Sequence, residues 1–185
     1  SNVNGFNYVV NGEAPEDALA SILAHADAAA KAATKAAEGP VVTIDLNGDV
    51  YWKTEGGHGS SPLLPATSKI SKVVINGNGN TFTATGAGVG SIRLANGGIL
   101  EFNEVNVVDK SVSYNESAWE LTYLEFAGNL AFKGCTFNSG VQFQTEDNDV
   151  TLAASFANCR FISNEDSVYA AWISDGTTTF TGCSF

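Results

Sequence analysis

Three six-residue segments in the last third of the chain align without a gap: Phe132-Lys-Gly-Cys135-Thr-Phe137, Phe156-Ala-Asn-Cys159-Arg-Phe161 and Phe180-Thr-Gly-Cys183-Ser-Phe185. Their cysteines stand at 135, 159 and 183, a spacing of 24 both times. A period of this length marks a solenoid, in which each repeat buries its apolar face only by stacking on its neighbours. Within a segment, Cys and the second Phe lie two apart and share one face of a strand, whereas a helical repeat would show spacings of three and four. The Gly or Asn before each Cys falls where the backbone must bend, because these residues tolerate left-handed conformations.

The frame continues backwards with decreasing fidelity. Phe102-Asn-Glu-Val105-Asn-Val107 keeps the apolar positions, while Ile75-Asn-Gly-Asn78-Gly-Asn80 and Ile44-Asp-Leu-Asn47-Gly-Asp49 keep the first and place asparagine at the corner. From Ile44 the intervals are 31, 27, 30, 24 and 24 residues. The pattern predicts an all-β fold: a single right-handed parallel β-helix of about five to six coils, with backbone groups pairing between coils at ~4.8 Å per rung.

A solenoid has two raw ends that need covering. Residues 1–40 read as an N-terminal segment supplying one cover, and 41–185 as the β-helix, within one structural domain. Between Pro15 and Glu38, Leu19, Ile22, Leu23 and Ala26 recur at helical spacing. Pro15 suits the first helical position, Glu16 and Asp17 favour the positive end of the dipole, Lys31 and Lys35 the negative end, and Gly39-Pro40 stops the helix. At the other end the repeat runs unbroken to Phe185. The expectation there is continuation of the solenoid or a partner, including end-to-end self-association of two chains through their last coils.

The rungs Cys-Thr-Phe, Cys-Arg-Phe and Cys-Ser-Phe, together with Val-Val-Ile-Asn-Gly-Asn-Gly-Asn at 73–80, resemble the right-handed β-helix regions of pectin-lyase-like proteins, and most closely those of bacterial adhesin-like surface proteins. The resemblance covers roughly residues 41–185 and implies fold more than function. It implies an extracellular or cell-surface location and a carbohydrate-binding or carbohydrate-cleaving ancestry. Lyases of that kind use clustered aspartates for calcium and a basic residue for proton abstraction, and no position of this chain takes over those roles. Glu146-Asp147-Asn148-Asp149 and Glu165-Asp166 sit at different offsets from their cysteines and read as a solvated acidic edge.

Charge limits the partners. Twenty acidic residues against nine basic ones give a formal net charge of −11, and Arg93 and Arg160 are the only arginines. Such a field repels nucleic acid and anionic membrane surfaces, and no stretch approaches the ~18 apolar residues needed for membrane insertion. There is no methionine, so the chain reads as a processed or excised product, and the missing secretory signal says nothing about compartment.

Candidate chemistry is sparse. The odd number of cysteines, without C-x-x-C spacing, points to inward-facing reduced thiols on successive rungs instead of zinc ligands or a disulfide set. His58 beside Ser60 in a glycine-rich loop lacks the strand-Ser-helix elbow of a hydrolase. Gly86-Ala-Gly88-Val-Gly90 reads as a corner, because no helix follows to receive a phosphate. Neither catalytic nor metal-ligating residues are identified, and no cofactor is expected. Aromatics in the two longest coils carry the better signal: Tyr51 and Trp52 in one, Tyr114, Glu116 and Trp119 in the other. Sideways insertions often form a solenoid's binding face, and an aromatic plane beside a carboxylate suits a sugar ring. The same aromatics could instead pack the insertions down. The leading reading is a non-enzymatic adhesin-like module displaying a lateral face to a glycan or host surface protein. A polysaccharide lyase or hydrolase on the same scaffold, and a structural spacer, are the alternatives.

Overall fold

The computed structural model describes residues 5–13, 17–33, 39–54, 62–86, 90–110, 124–138, 140–143, 151–163, 169–173 and 176–185. The chain begins with strand β1 (Gly5–Asn11) and helix α1 (Ala18–Ala32). It then passes through β2 (Val41–Asn47), β3 (Val50–Thr54) and β4 (Pro62–Leu64), and next through β5 (Lys72–Asn76), β6 (Thr81–Gly86) and β7 (Gly90–Leu94). The pattern recurs in β8 (Ile99–Asn103), β9 (Asn106–Asp109) and β10 (Leu124–Phe126), and again in β11 (Asn129–Lys133), β12 (Thr136–Phe137) and β13 (Val141–Phe143). After β14 (Ala153–Ala157), β15 (Arg160–Phe161) and β16 (Ala171–Ile173) comes β17 (Thr177–Thr181).

Each group of three strands is one layer, and successive layers stack into three parallel sheets. The first sheet runs β1-β2-β5-β8-β11-β14-β17, the second β3-β6-β9-β12-β15, and the third β4-β7-β10-β13-β16. The chain visits the sheets in turn, so the fold is mostly β, parallel and helix-like.

The aligned sequence positions are aligned in space. Ile44, Ile75, Phe102, Phe132, Phe156 and Phe180 occupy one register column of the first sheet. The rings of Phe102 and Phe132, Phe132 and Phe156, and Phe156 and Phe180 stack with centroids 5.3, 5.1 and 4.9 Å apart. A second column holds Phe137 and Phe161 at 4.8 Å, with Phe185 stacked on Phe161 at 4.9 Å. The repeated segment is not a single strand, however. Phe132 lies in the first sheet and Phe137 in the second, with a sharp bend between them. At that bend Glu104, Gly134, Asn158 and Gly182 have φ of 51°, 63°, 54° and 64°. The left-handed corner anticipated for Gly and Asn is thus present, and Glu104 adopts it as well.

Just past the corner stand the three cysteines, all free. Each thiol donates to the carbonyl of a phenylalanine one layer back: Cys135 to Phe102 at 3.3 Å, Cys159 to Phe132 at 3.4 Å and Cys183 to Phe156 at 3.5 Å. The adjacent Cys159 thiol, together with burial, pushes the Cys135 thiol well above its ordinary value. Cys135 and Cys159 are buried, as the inward reading requires, and Cys183 in the last layer is half-buried.

At the N-terminal end, α1 buries Leu19, Leu23, Ala26 and Ala30 and packs against β3 and β4, the first strands of the second and third sheets. The remaining first-sheet position is filled by β1, which the sequence reading did not anticipate. Its residues Phe6, Tyr8 and Val10 pair in register with Val42, Ile44 and Leu46 of β2. Helix and strand together cover this end and share one hydrophobic core with the layers above. The helix is bounded by Asp17 and by Ala33, which is extended (ψ 112°). The forecast positions Pro15, Glu16 and Lys35 lie outside the described residues.

Outside the first sheet, polar side chains form their own ladder. Asn76 donates to Asp45 at 2.8 Å and Asn103 to Asn76 at 3.0 Å, across three layers in register. Beside it, Glu101 binds Lys72 of the layer below at 3.3 Å and Lys133 of the layer above at 2.9 Å. At the opposite end of the stack from α1, β15, β16 and β17 are the last strands of their sheets, and Phe185 is 71% exposed.

Candidate functional site

Strands of the third sheet are three residues long through most of its height, and each is an apolar pair flanking one different residue: Leu124-Glu125-Phe126, Val141-Gln142-Phe143 and Ala171-Trp172-Ile173. Because side chains alternate across a strand, the central residues point away from the core that holds Leu124, Phe126, Val141 and Phe143. Register places Glu125, Gln142 and Trp172 in one outward column. Arg93 stands on β7 two positions after the register partner of Glu125 and shares that face.

This outward column is not a solvated surface. Glu125 is fully buried, and Gln142 and Arg93 are 4% and 7% exposed. The Gln142 amide donates to the Tyr169 hydroxyl at 2.7 Å. Tyr169 in turn meets Trp172 edge to face, with centroids 5.3 Å apart at 81°. Trp172 itself is 48% exposed, the most exposed large aromatic described apart from Phe185. A carboxylate, an amide, a guanidinium, a phenol and an indole are thereby gathered at one sheet face, combining hydrogen-bonding groups with a flat apolar surface.

The residues proposed from sequence are distributed differently. Tyr51 and Trp52 are neighbours on β3 and therefore face opposite ways. Tyr51 is half-buried on the outside and donates its hydroxyl to Glu13 at 2.8 Å, a bond to a carboxylate that raises its pKa. Trp52 points inward, is 9% exposed and packs in the core beneath α1. It forms no lateral aromatic surface with Tyr51. Tyr114, Glu116 and Trp119 lie outside the described residues, as do His58, Glu146, Asp147, Asn148, Asp149, Glu165 and Asp166.

Sequence reasoning overlooked Glu125, Gln142, Tyr169 and Trp172. The available signal was the triplet form itself, a polar or aromatic residue between two apolar ones. Its intervals, 17 residues from Glu125 to Gln142 and 30 from Gln142 to Trp172, hide the alignment that the 24-residue frame reveals elsewhere. Among the described residues no three His, Cys, Asp or Glu side chains gather so as to hold a metal ion, and no described helix is long and apolar enough to cross a membrane. No family model, no curated protein and no solved structure matches this chain.

Proposed function

We propose that the chain is a right-handed parallel β-helix of five to six coils, similar to those of pectin-lyase-like adhesins, and that it serves as a non-enzymatic binding module at a cell surface or outside the cell. Its ligand is a glycan, received on the outward face of the third sheet. The observation that carries this reading is the half-exposed Trp172 ring, fixed by Tyr169 next to the Gln142 amide. A sugar ring stacks its apolar face on an indole, and rigid strands hold that ring in place without an ordering cost on binding. The acidic surface favours neutral or cationic saccharides over sulfated or uronic ones.

A glycan array followed by calorimetry on the best hit tests this. Trp172→Ala is expected to weaken binding about tenfold or more, the range of an interface aromatic anchor. Its melting temperature should stay close to that of the parent, because the ring is half in solvent. Absence of any glycan hit, or undiminished affinity in the variant, would reject the assignment.

A further inference from the structure

The end of the stack opposite α1 is stepped. The third sheet stops at β16, while the chain goes on to add β17 to the first sheet and Ser184, bridged to Arg160, to the second. Along this rim the inward columns end uncovered: Phe185, Ile173 and Phe180 are 71%, 40% and 37% exposed. Lower strands of the first sheet carry Lys72, Glu101 and Lys133 on their outer face, but β16, β17 and residues 182–185 contain no charged side chain and no proline. Charge and proline are the usual protections of an open strand edge, so these strands are free to pair. On a chain of net charge −11 they also present a second copy with no like charge.

The backbone of β17 is already set for a two-fold pairing. The Thr177 N–H is donated to Leu152, just before β14, at 3.0 Å. Alternation along the strand turns the groups of Thr179 and Thr181 the same way and leaves those of Thr178 and Phe180 facing the open edge. An antiparallel copy centred on Thr179 sets Thr178 of each chain opposite Phe180 of the other, and each such pair exchanges both its N–H···O bonds. Outward side chains then match as Thr177 with Thr181 and Thr179 with its own copy, a favourable cross-strand set. The same axis swaps the second and third sheets. It brings the raised rung of Ser184 and Phe185 onto the step left by β16, with the Phe185 ring over Ile173 of the second copy.

A head-to-tail stack lacks this match, because α1 lies over β3 and β4 and leaves only β1 to receive another chain. With one open end per chain, association closes at two. We propose that two copies of this chain join end to end through β16, β17 and Phe185 as a closed dimer, on a two-fold axis at Thr179. Trp172 points outward on β16 and stays on the outer face of each copy, so the dimer does not depend on the glycan reading.

Sedimentation velocity of the whole chain across a concentration series tests the proposal. A monomer–dimer equilibrium is expected, with hydrogen exchange at the Thr178 and Phe180 amides slowing as the dimer forms. Thr179→Lys and Thr179→Glu each set like charges face to face from an exposed position, and each is expected to weaken the dimer about tenfold or more. Mixed in equal amounts, the two variants face each other with opposite charges and should recover the dimer. Val9→Lys, on the 54% exposed Val9 of β1 at the other end, should change nothing. A chain monomeric at every concentration, species that grow past the dimer, no recovery in the mixture, or weakening by Val9→Lys would each overturn the proposal.

Discussion

At the scale of single residues, the stack is held by like side chains placed on like. Phe137 is fully buried and touches rings in three directions, with Phe132, Phe143 and Phe161 at 5.1, 5.7 and 4.8 Å between centroids. Phe137→Ala should therefore cost ~3–5 kcal/mol, since layers fixed by hydrogen bonds cannot collapse into the void. Urea unfolding would measure it, and a loss below about 1 kcal/mol would remove Phe137 from the core. Glu101 makes the complementary electrostatic case. Burial raises its pKa, but Lys133, Asn103 and Lys72 lower it further, so the folded value lies below the unfolded one. A depressed carboxyl stabilises the fold above its unfolded pKa, and that contribution disappears as pH falls through the folded value. Glu101→Gln should thus cost about 1–3 kcal/mol near neutral pH, a range typical of hydrogen bonds to charged groups. The difference between parent and variant should begin to shrink near the ordinary glutamate pKa of ~4.3 and close only at still lower pH, once the depressed carboxyl of the folded parent is protonated too. A difference independent of pH would mean that size, not charge, sets the contribution of this position.

At the scale of elements, the first sheet was legible because its columns are built from Phe and Ile at long, nearly constant intervals, and a repeated bulky side chain is conspicuous. The corners were legible for a related reason, since Gly134, Asn158 and Gly182 share a conformation that few residues tolerate. By contrast, β1 escaped notice: Phe6, Tyr8 and Val10 alternate properly, but no Cys-x-Phe follows to tie them to the frame. The third sheet escaped more completely, because a strand of three residues shows too little of the two-residue period and takes its register from neighbouring strands instead. For Trp52 the sequence left binding and packing both open, because no spacing reveals that α1 lies over β3 and makes the inward face of that strand the occupied one. Layer spacing itself sets a further constraint at Gly77. A Cβ there would lie 2.5 Å from the Glu104 carbonyl oxygen and 2.6 Å from a Val105 methyl. Gly77→Ala must push two layers apart, and a loss of roughly 1–3 kcal/mol is expected, as for other overpacked sites. A thermal melt unchanged by this substitution would show that the corner can relax.

At the scale of the whole molecule, each layer bonds only to the one below and the one above, so stability should be distributed along the stack like that of other repeat proteins. Interior strands such as β8 and β11 have partners on both sides, whereas β17 has one, and Phe180 on it is already 37% exposed. Opening an interior layer breaks two interfaces, and opening the last breaks one. Hydrogen exchange should accordingly be slowest for amides of β5, β8 and β11 and fastest for β17, with α1 and β1 protecting the opposite end. The same reasoning separates two substitutions that look alike in sequence. Phe132→Ala removes a ring stacked on both faces, by Phe102 and Phe156, and should lower protection throughout the stack. Phe180→Ala removes a ring stacked on one face only, by Phe156, and should cost about 1 kcal/mol or less, for a side chain already partly in water. Its effect on exchange should be confined to β17 and fade within a layer or two. Equal global loss from both substitutions would instead describe a single all-or-none unit, in which the last layer is as deeply committed to the fold as the middle one.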